Sequence, residues 1–376
     1  MKNQEIWPVF RSNACRTGFL PVRSRSSAPC VEYKVKVGDY LYSSPVVSKS
    51  IYFLSYSKDQ SRICALDRVT GAVCWTYDLN LLPPYPWYSV AVHQSNIYVS
   101  DYGRFFALDA FSGKLLRQNN QSEKWFALTS AVCDDQAVYV GSNYMSLHAF
   151  SLSSLEEKWS FNTKSNITAD ISVSDNGIVV VSQKPGVSFV NCVDKMSGEP
   201  LWTSEFLNAS IRACPVISGD IVYIVSVRFR EPQKYNLYAL NVQNGVLIWK
   251  KEFEPAEHNF NSRSRNNKSL LGSSPSIAGN EIYIGLPDGH LYSLNINNQE
   301  INWSFLSSGF IESSPAVTND ALYFGSMDGT LHTLDRHTGS ERWNFKASSS
   351  ICASPAVTSE SVFFGSIDGW FHALSL

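Results

Sequence analysis

Short segments of alternating or continuous apolar character recur along the whole chain, separated by turn residues. In the copy at 313–345 four of them follow one another as SSPAV, ALYFGS, TLHTLD and ERWNF. Such brief runs bounded by Gly and Asn/Asp predict β-strands rather than helices. The third segment is the clearest and occurs eight times: ICALD (63–67), FFALD (105–109), LHAFS (147–151), VNCVD (190–194), LYALN (237–241), LYSLN (291–295), LHTLD (331–335) and FHALS (371–375).

The turns between these segments have the residues that tight reversals require. Asp-Gly pairs separate the second and third segments at 287–289, 327–329 and 367–369, and Gly adopts positive φ at little cost. Proline begins the first segment in four copies, where a missing N–H costs little: Pro45, Pro275, Pro315 and Pro355. Each copy is therefore predicted to be a four-stranded antiparallel sheet. Its length of about 40–54 residues is that of a propeller blade, and a ring of blades buries both faces of every sheet.

The two chain ends predict how the ring closes. Seven copies have their own fourth segment, but the eighth reaches Leu376 without one. Tyr33 precedes Pro45 by the same spacing that separates Trp303 from Pro315 and Trp343 from Pro355. Residues 31–37 are therefore predicted to be the outer strand of the eighth blade. The expected fold is all-β: one eight-bladed β-propeller domain over 1–376, with 1–30 as a lead-in.

The fourth segment carries one recurring aromatic position. It holds Trp75, Trp159, Trp202, Trp249, Trp303 and Trp343, with Tyr33 in the eighth copy and Arg117 in the second. ALDRVTGAVCW (65–75) and its relatives resemble the tryptophan-docking repeat of the PQQ-like β-propellers, and WPVFRSNACRTG (7–18) resembles a lead-in of many bacterial members. The resemblance implies that each docking ring packs across the neighbouring blade. Less regular packing is expected at Arg117, at Tyr33 and at 151–159, which lacks the usual Asp and Gly.

Composition and charge narrow the possible functions. The 376 residues have a formal net charge of −2, so no overall basic field attracts nucleic acid or an anionic membrane. No apolar run approaches the roughly 18 residues of a membrane span, and no hydrophobic stretch near the N-terminus resembles a secretion signal. A cytoplasmic protein is therefore expected. Its eight cysteines, without CxxC spacing, are expected to be free and mostly buried.

The resemblance also makes catalysis a candidate function, because the family includes quinone-dependent dehydrogenases. Such enzymes have adjacent cysteines over the cofactor, Ca²⁺ ligands and an Asp base, whereas no two cysteines here are adjacent and no acidic cluster has calcium-loop spacing. His148, His332 and His372 share one position of the repeat, which favours packing. The serine pairs at 43–44, 273–274 and 313–314 favour a polar lining of the funnel. We therefore expect no catalytic residue, cofactor or metal.

Three insertions interrupt the repeat, at 79–89, 227–236 and 254–272. Because strand direction alternates, all three should leave the same face of the disc. Arg and aromatic side chains on such loops are typical of binding hot spots. The candidate partner-binding residues are Tyr85, Trp87, Tyr88, Arg228, Arg230, Lys234, Arg263, Arg265 and Lys268. Ordinary variable loops are the alternative interpretation.

Three functions are therefore kept, in order of preference. The first is a non-catalytic scaffold, either alone or as one subunit of a larger complex, that binds a protein partner presenting acidic groups. Its nearest analogy is the propeller lipoprotein of the outer-membrane β-barrel assembly machine, although the N-terminus here has no export signal. The second is a PQQ-dependent quinoprotein dehydrogenase. The third is a sensor of small ligands or glycans at the funnel mouth.

Overall fold

The computed structural model describes residues 7–23, 29–80, 89–122, 124–228, 234–254 and 273–376. In these ranges the strands form eight antiparallel sheets, arranged as the blades of an eight-bladed β-propeller. The predicted all-β fold and the blade count are confirmed. A search of the same ranges for a helix long and apolar enough to span a bilayer finds none.

The strands follow the repeat closely. Blade 1 comprises β2 (Val46–Val47), β3 (Ser50–Ser57), β4 (Gln60–Asp67) and β5 (Val73–Leu79); blade 2 comprises β6 (Ala91–His93), β7 (Asn96–Asp101), β8 (Arg104–Asp109) and β9 (Leu115–Asn120). Blade 3 comprises β10 (Val132–Cys133), β11 (Val138–Ser142), β12 (Ser146–Phe150) and β13 (Glu157–Asn162); blade 4 comprises β14 (Asn166–Ile167), β15 (Ser172–Ser174), β16 (Gly177–Lys184), β17 (Val187–Val193) and β18 (Pro200–Leu207).

The second half of the ring repeats the arrangement. Blade 5 comprises β19 (Val216–Ser218), β20 (Ile221–Arg228), β21 (Lys234–Asn241) and β22 (Leu247–Phe253); blade 6 comprises β23 (Ser276–Ala278), β24 (Glu281–Gly285), β25 (His290–Asn295) and β26 (Ile301–Leu306). Blade 7 comprises β27 (Ala316–Val317), β28 (Ala321–Gly325), β29 (Thr330–Asp335) and β30 (Glu341–Lys346); blade 8 comprises β31 (Ala356–Val357), β32 (Ser361–Gly365), β33 (Trp370–Ser375) and β1 (Val31–Lys36).

The ring closes where the chain ends meet. β1 pairs antiparallel with β33, with Val31 opposite Leu374 and Tyr33 opposite Ala373. The predicted closing strand is therefore confirmed, although it ends at Lys36, one residue before the predicted limit. The backbone N–H of Val37 still donates to the Gly369 carbonyl, at 3.0 Å.

The core is a ring of interfaces between blades. Inner strands are buried on both faces, as in ALYFG of β28, whereas outer strands such as β26 alternate half-buried and exposed residues. The buried apolar clusters each combine residues of neighbouring blades: one joins Val46 and Tyr52 of blade 1 to Ile97 and Phe106 of blade 2. Each blade is thus stable through its neighbours, as expected for a repeat protein.

The lead-in segment lies against the inner strands at one end of the axis. Its backbone hydrogen-bonds to the first strands of six blades, through Trp7 to Val47, Pro8 to Val92, Ala14 to Val173, Cys15 to Ile217, Thr17 to Ile277 and Gly18 to Val317. These partners lie where the first strand of each blade turns into the second. The lead-in therefore covers the face opposite to the links between blades.

Candidate functional site

The docking rings pack across the following blade. The indole N–H donates to a turn carbonyl of that blade in four cases: Trp75 to Ala110 (3.1 Å), Trp159 to Lys195 (3.2 Å), Trp202 to Val242 (2.7 Å) and Trp303 to Arg336 (3.0 Å). The Tyr33 hydroxyl donates likewise to Arg68, at 3.2 Å. The turn glycine lies under the ring, and a Cβ at Gly339 would meet Trp303 at 2.5 Å. These contacts hold neighbouring blades together.

Two blade pairs depart from this contact in a compensated way. Where Arg117 replaces Trp, the next blade has the fully buried Leu155, at φ 60°, in place of the turn glycine. Where Trp249 docks, Gln299 replaces the glycine at φ 59°. The Gln299 amide donates to the Ile296 carbonyl at 3.1 Å, so it binds the acceptor that a docking indole uses elsewhere. Trp343 packs in the cluster that includes Leu376.

The candidate partner-binding residues are only partly within the described ranges. Tyr85, Trp87, Tyr88, Arg230, Arg263, Arg265 and Lys268 lie outside them. Arg228 and Lys234 pair at the end of the β20–β21 hairpin. Lys234 Nζ lies 2.5 Å from Glu252 Oε1 and 3.8 Å from Glu254 Oε1. The charge there is therefore mixed rather than purely basic, because strand pairing brings acidic residues of β22 and its end beside Lys234.

A ring of eight equivalent positions surrounds the axis, one in front of each first strand. The positions are Ser44, Ser89, Ser130, Asp170, Cys214, Ser274, Ser314 and Ser354. Backbone N–H groups donate to the side chain of the next blade: Cys214 to Ser274 (2.8 Å), Ser274 to Ser314 (3.1 Å), Ser314 to Ser354 (2.8 Å) and Ser354 to Ser44 (2.9 Å). The sequence prediction that these serines form a polar lining agrees with this geometry.

Asp170 and Cys214, the two positions without serine, lie beside arginines of the lead-in. Arg16 is fully buried, and its Nε donates to the Ile171 carbonyl at 3.1 Å. Ser130 donates its backbone N–H to Asp170 Oδ1 at 2.5 Å. Burial raises the pKa of Asp170, while Arg16 opposes the shift. Burial lowers the pKa of Arg11 to about 10, with a favourable charge interaction from Asp170.

Above this ring lies an axial pocket of about 140 Å³. Its wall takes one differing residue from each of six blades: Tyr42, Leu128, Thr168, Arg212, Glu312 and Cys352. Burial raises the pKa of Glu312 to about 7, against a hydrogen bond with Cys352 that lowers it. Sequence analysis missed this layer, although its signal was available: where the first strand begins with Pro, the residue three positions earlier differs from copy to copy, as Tyr42, Arg212, Glu312 and Cys352 show.

The recurring histidines make polar contacts inside the blades. His148 Nε2 lies 2.9 Å from Ser142 Oγ and its Nδ1 lies 3.1 Å from Glu157 Oε2. This is the order of a serine–histidine–acid relay, but Ser142 is fully buried, so no substrate reaches its hydroxyl. Burial lowers the pKa of His148. Burial also lowers the pKa of His372, in this case to about 4. Over the described ranges no group of His, Cys, Asp and Glu could hold a metal ion.

The described pocket does not fit pyrroloquinoline quinone, a fused three-ring tricarboxylate. A cavity of 140 Å³ compares with an engineered one of about 150 Å³ that holds benzene. Asp170 and Glu312 also bring carboxyl groups to a wall with one arginine, Arg212. Size and charge therefore both oppose this cofactor.

The solved structures similar to this chain share its fold at low identity. BamB from Moraxella catarrhalis is 14% identical with a TM-score of 0.67, over 93% of this chain and 100% of that one. The quinohemoprotein alcohol dehydrogenase of Comamonas testosteroni is 14% identical with a TM-score of 0.76, over 99% and 80%. A europium-containing methanol dehydrogenase is 13% identical with a TM-score of 0.70, over 100% and 99%. At this identity the likeness shows the fold alone, and it includes an assembly factor and enzymes.

Sequence comparison is more selective. No curated protein sequence matches the chain significantly. A family model does match it, over residues 59–166, 146–305 and 300–376, and that model is described as outer membrane protein assembly factor BamB. These matches span most of the repeats. The chain therefore belongs to the BamB family of PQQ-like β-propellers.

Proposed function

We propose that this chain is a non-catalytic scaffold that binds a protein partner through the face from which its three insertions leave. The observation that carries the proposal is at blade 5. The segments 229–233 and 255–272 leave that blade at one end, where Lys234 contacts Glu252 and Glu254. Because the described flanks of the two insertions lie this close, we infer that both contribute to one partner-binding surface.

The family supports the same role. Its model is described as an assembly factor, and such a factor acts in contact with other proteins. A place in a larger complex is part of the proposal, and the cytoplasmic location stays a prediction. Because Lys234 is already paired with Glu252 and Glu254, we propose that Arg228 and the arginines of the insertions contribute most of the attraction for an acidic partner.

The test starts from a partner identified by crosslinking and mass spectrometry and then purified. Its affinity is measured for the native chain and for a variant with Arg228, Arg230, Arg263 and Arg265 changed to Glu. We expect binding about tenfold weaker or more, an unchanged melting temperature, and an affinity of the native chain that falls with salt.

A matched control reverses four charges on the opposite face: Lys49, Arg68, Lys114 and Lys158. These residues lie in or beside the turns on that face, and the control should bind as the native chain does. Equal binding by the two charge-reversed variants would refute the proposed face.

The quinoprotein alternative rests on shared fold, and the small pocket with its carboxyl groups argues against it. Its test is the absorbance spectrum after addition of PQQ and Ca²⁺. A stable quinone band that survives gel filtration would favour the enzyme, and so displace the scaffold as the preferred function.

A further inference from the structure

The axial pocket has a chemistry of its own, separate from the loop face. Its wall layer shares no residue type between blades, whereas the ring beneath it is serine in six of eight positions. Residues that a repeat needs for packing recur from copy to copy. A layer that differs at every described position is therefore not set by packing between blades. Because this layer surrounds a cavity, its residues are candidates to contact a ligand.

Two arginines, one in the wall of the pocket and one beneath its floor, have N–H groups without partners in the described ranges. The Arg212 Nε is buried and has no hydrogen-bond partner among the described residues. Beneath the floor, Arg11 is 2% exposed, and its Nε and Nη1 also lack partners in the described ranges. A buried donor left unsatisfied destabilises the folded chain. An anion that enters the pocket would satisfy Arg212 and be attracted by the charge of Arg11.

The remaining wall restricts the anion to a single charge and an apolar body. Asp170 and Glu312 would repel a second negative charge, while Leu128, Ala169 and Ala353 offer apolar surface. Arg guanidinium binds carboxylates through two parallel hydrogen bonds. Leu128 is 38% exposed, so the wall reaches solvent. At about 140 Å³ the space suits a molecule with about as many heavy atoms as benzene.

We propose that the axial pocket binds a small aliphatic monocarboxylate, with its carboxylate on Arg212 and its carbon chain against Leu128, Ala169 and Ala353. The site is independent of the proposed partner-binding face. Glu312 is the titrating group of the wall, faced by Cys352 of blade 8, Arg212 and Asp170 across the pocket, and Tyr42 of blade 1. Its neutral form donates a hydrogen bond to the ligand, and its ionised form repels it, so affinity should fall as the pH rises through about 7.

Isothermal titration calorimetry of the full chain with butyrate, acetate and inorganic phosphate tests this proposal. Butyrate has as many non-hydrogen atoms as benzene, and it should bind with one-to-one stoichiometry at millimolar concentration or below. Acetate should bind more weakly because it buries less apolar surface. Phosphate should bind at least about tenfold more weakly than butyrate, since it is partly a dianion and has no carbon chain. Absence of saturable heat with butyrate, or tighter binding of phosphate, would overturn the proposal.

Three variants test which residues of the axial pocket bind butyrate. Arg212→Gln should weaken butyrate binding about tenfold or more, while the matched Arg228→Gln on the blade 5 hairpin should not change it. Leu128→Trp, a change at a partly exposed position, should block binding by volume while Arg212 stays intact. Glu312→Gln should keep binding and lose its pH dependence. Native affinity in both Arg212→Gln and Leu128→Trp would place butyrate elsewhere and refute the assignment.

Discussion

The outer docking positions and the axial wall are both layers to which each described copy of the repeat contributes one position, yet they depart from the repeat in different ways. At the rim, every loss is matched nearby: Arg117 occurs with Leu155 in the neighbouring turn, and Gln299 binds the carbonyl that Trp249 does not use. At the axis, the departures Arg212 and Glu312 face a cavity, and the Arg212 Nε has no partner in the described ranges. The Arg117 Nε is also buried without a partner in the described ranges, so the difference between the two layers is the cavity. A departure that packs against a neighbouring blade maintains the fold, whereas one that faces a cavity leaves room for a ligand.

The serine ring beneath the axial wall shows the intermediate case. Asp170 breaks the series of serines, but it is matched by Arg16 from the lead-in, a segment outside the repeat. The lead-in thus compensates for a changed residue of the serine ring, as residues of the neighbouring turn do at the outer docking positions. Substitutions at each layer test this comparison, and the largest loss of stability is expected at the lead-in contact.

Arg16→Met should have the largest effect. It removes hydrogen bonds to the backbone carbonyls of Phe10 and Ile171 and also the Arg16 charge that opposes the burial-driven rise in the pKa of Asp170. Two lost hydrogen bonds from a charged donor, at about 1.5–3 kcal/mol each, set an expected cost of about 3–6 kcal/mol. Urea denaturation followed by tryptophan fluorescence measures the loss. The combined variant Arg16→Met with Asp170→Ser, which restores the serine of the ring, should recover part of it; no recovery would mean that Asp170 is not the partner.

A double-mutant cycle at the rim tests whether Arg117 and Leu155 compensate each other. Leu155→Gly alone opens a cavity at a fully buried position and should cost about 2–4 kcal/mol. Arg117→Trp alone should cost about 1–3 kcal/mol, because the indole meets Leu155. Together they recreate the contact of Trp75 with Gly113, so the pair should be more stable than the sum of single changes predicts. Strict additivity, measured by chemical denaturation, would show that the two changes are unrelated.

Glu312→Gln tests the axial wall through pH. The pKa of Glu312 is raised from 4.5 to about 7 in the folded chain, so the folded state holds the proton more tightly than the unfolded state. The stability that this provides is complete below pH 4.5 and is lost as pH rises through 7. The variant should therefore be more stable than the native chain at alkaline pH, by up to about 3 kcal/mol, and lose the advantage below pH 4.5. A difference independent of pH would contradict this ionisation.

The sequence was sufficient for the fold but not for the pocket, and the reason is physical. Strand pairing is local and periodic, so Tyr33 could be placed in blade 8 from its spacing to Pro45 alone. The pocket depends on which side chains converge from six blades, and Glu312 and Arg212 are a hundred positions apart. The lead-in was identified by resemblance, but nothing in its residues indicated that Arg16 would be fully buried. For the candidate basic cluster, the sequence did not show that strand pairing brings Glu252 and Glu254 beside Lys234.

The smallest effect distinguishes two rings that look alike in sequence. Trp303 donates its indole N–H to Arg336 at 3.0 Å, whereas at Trp249 the equivalent carbonyl of Ile296 accepts from Gln299. Trp→Phe keeps most of the ring and removes the N–H. Trp303→Phe should therefore cost about 1 kcal/mol more than Trp249→Phe, the net value of one hydrogen bond. Changing Gln299 to Gly should free the Ile296 carbonyl for Trp249 and remove that difference between the two positions. If the two Trp→Phe variants instead lose equal stability, the docking contact depends on ring packing alone. The hydrogen bond from Gln299 to Ile296 would then not compensate for a lost indole bond.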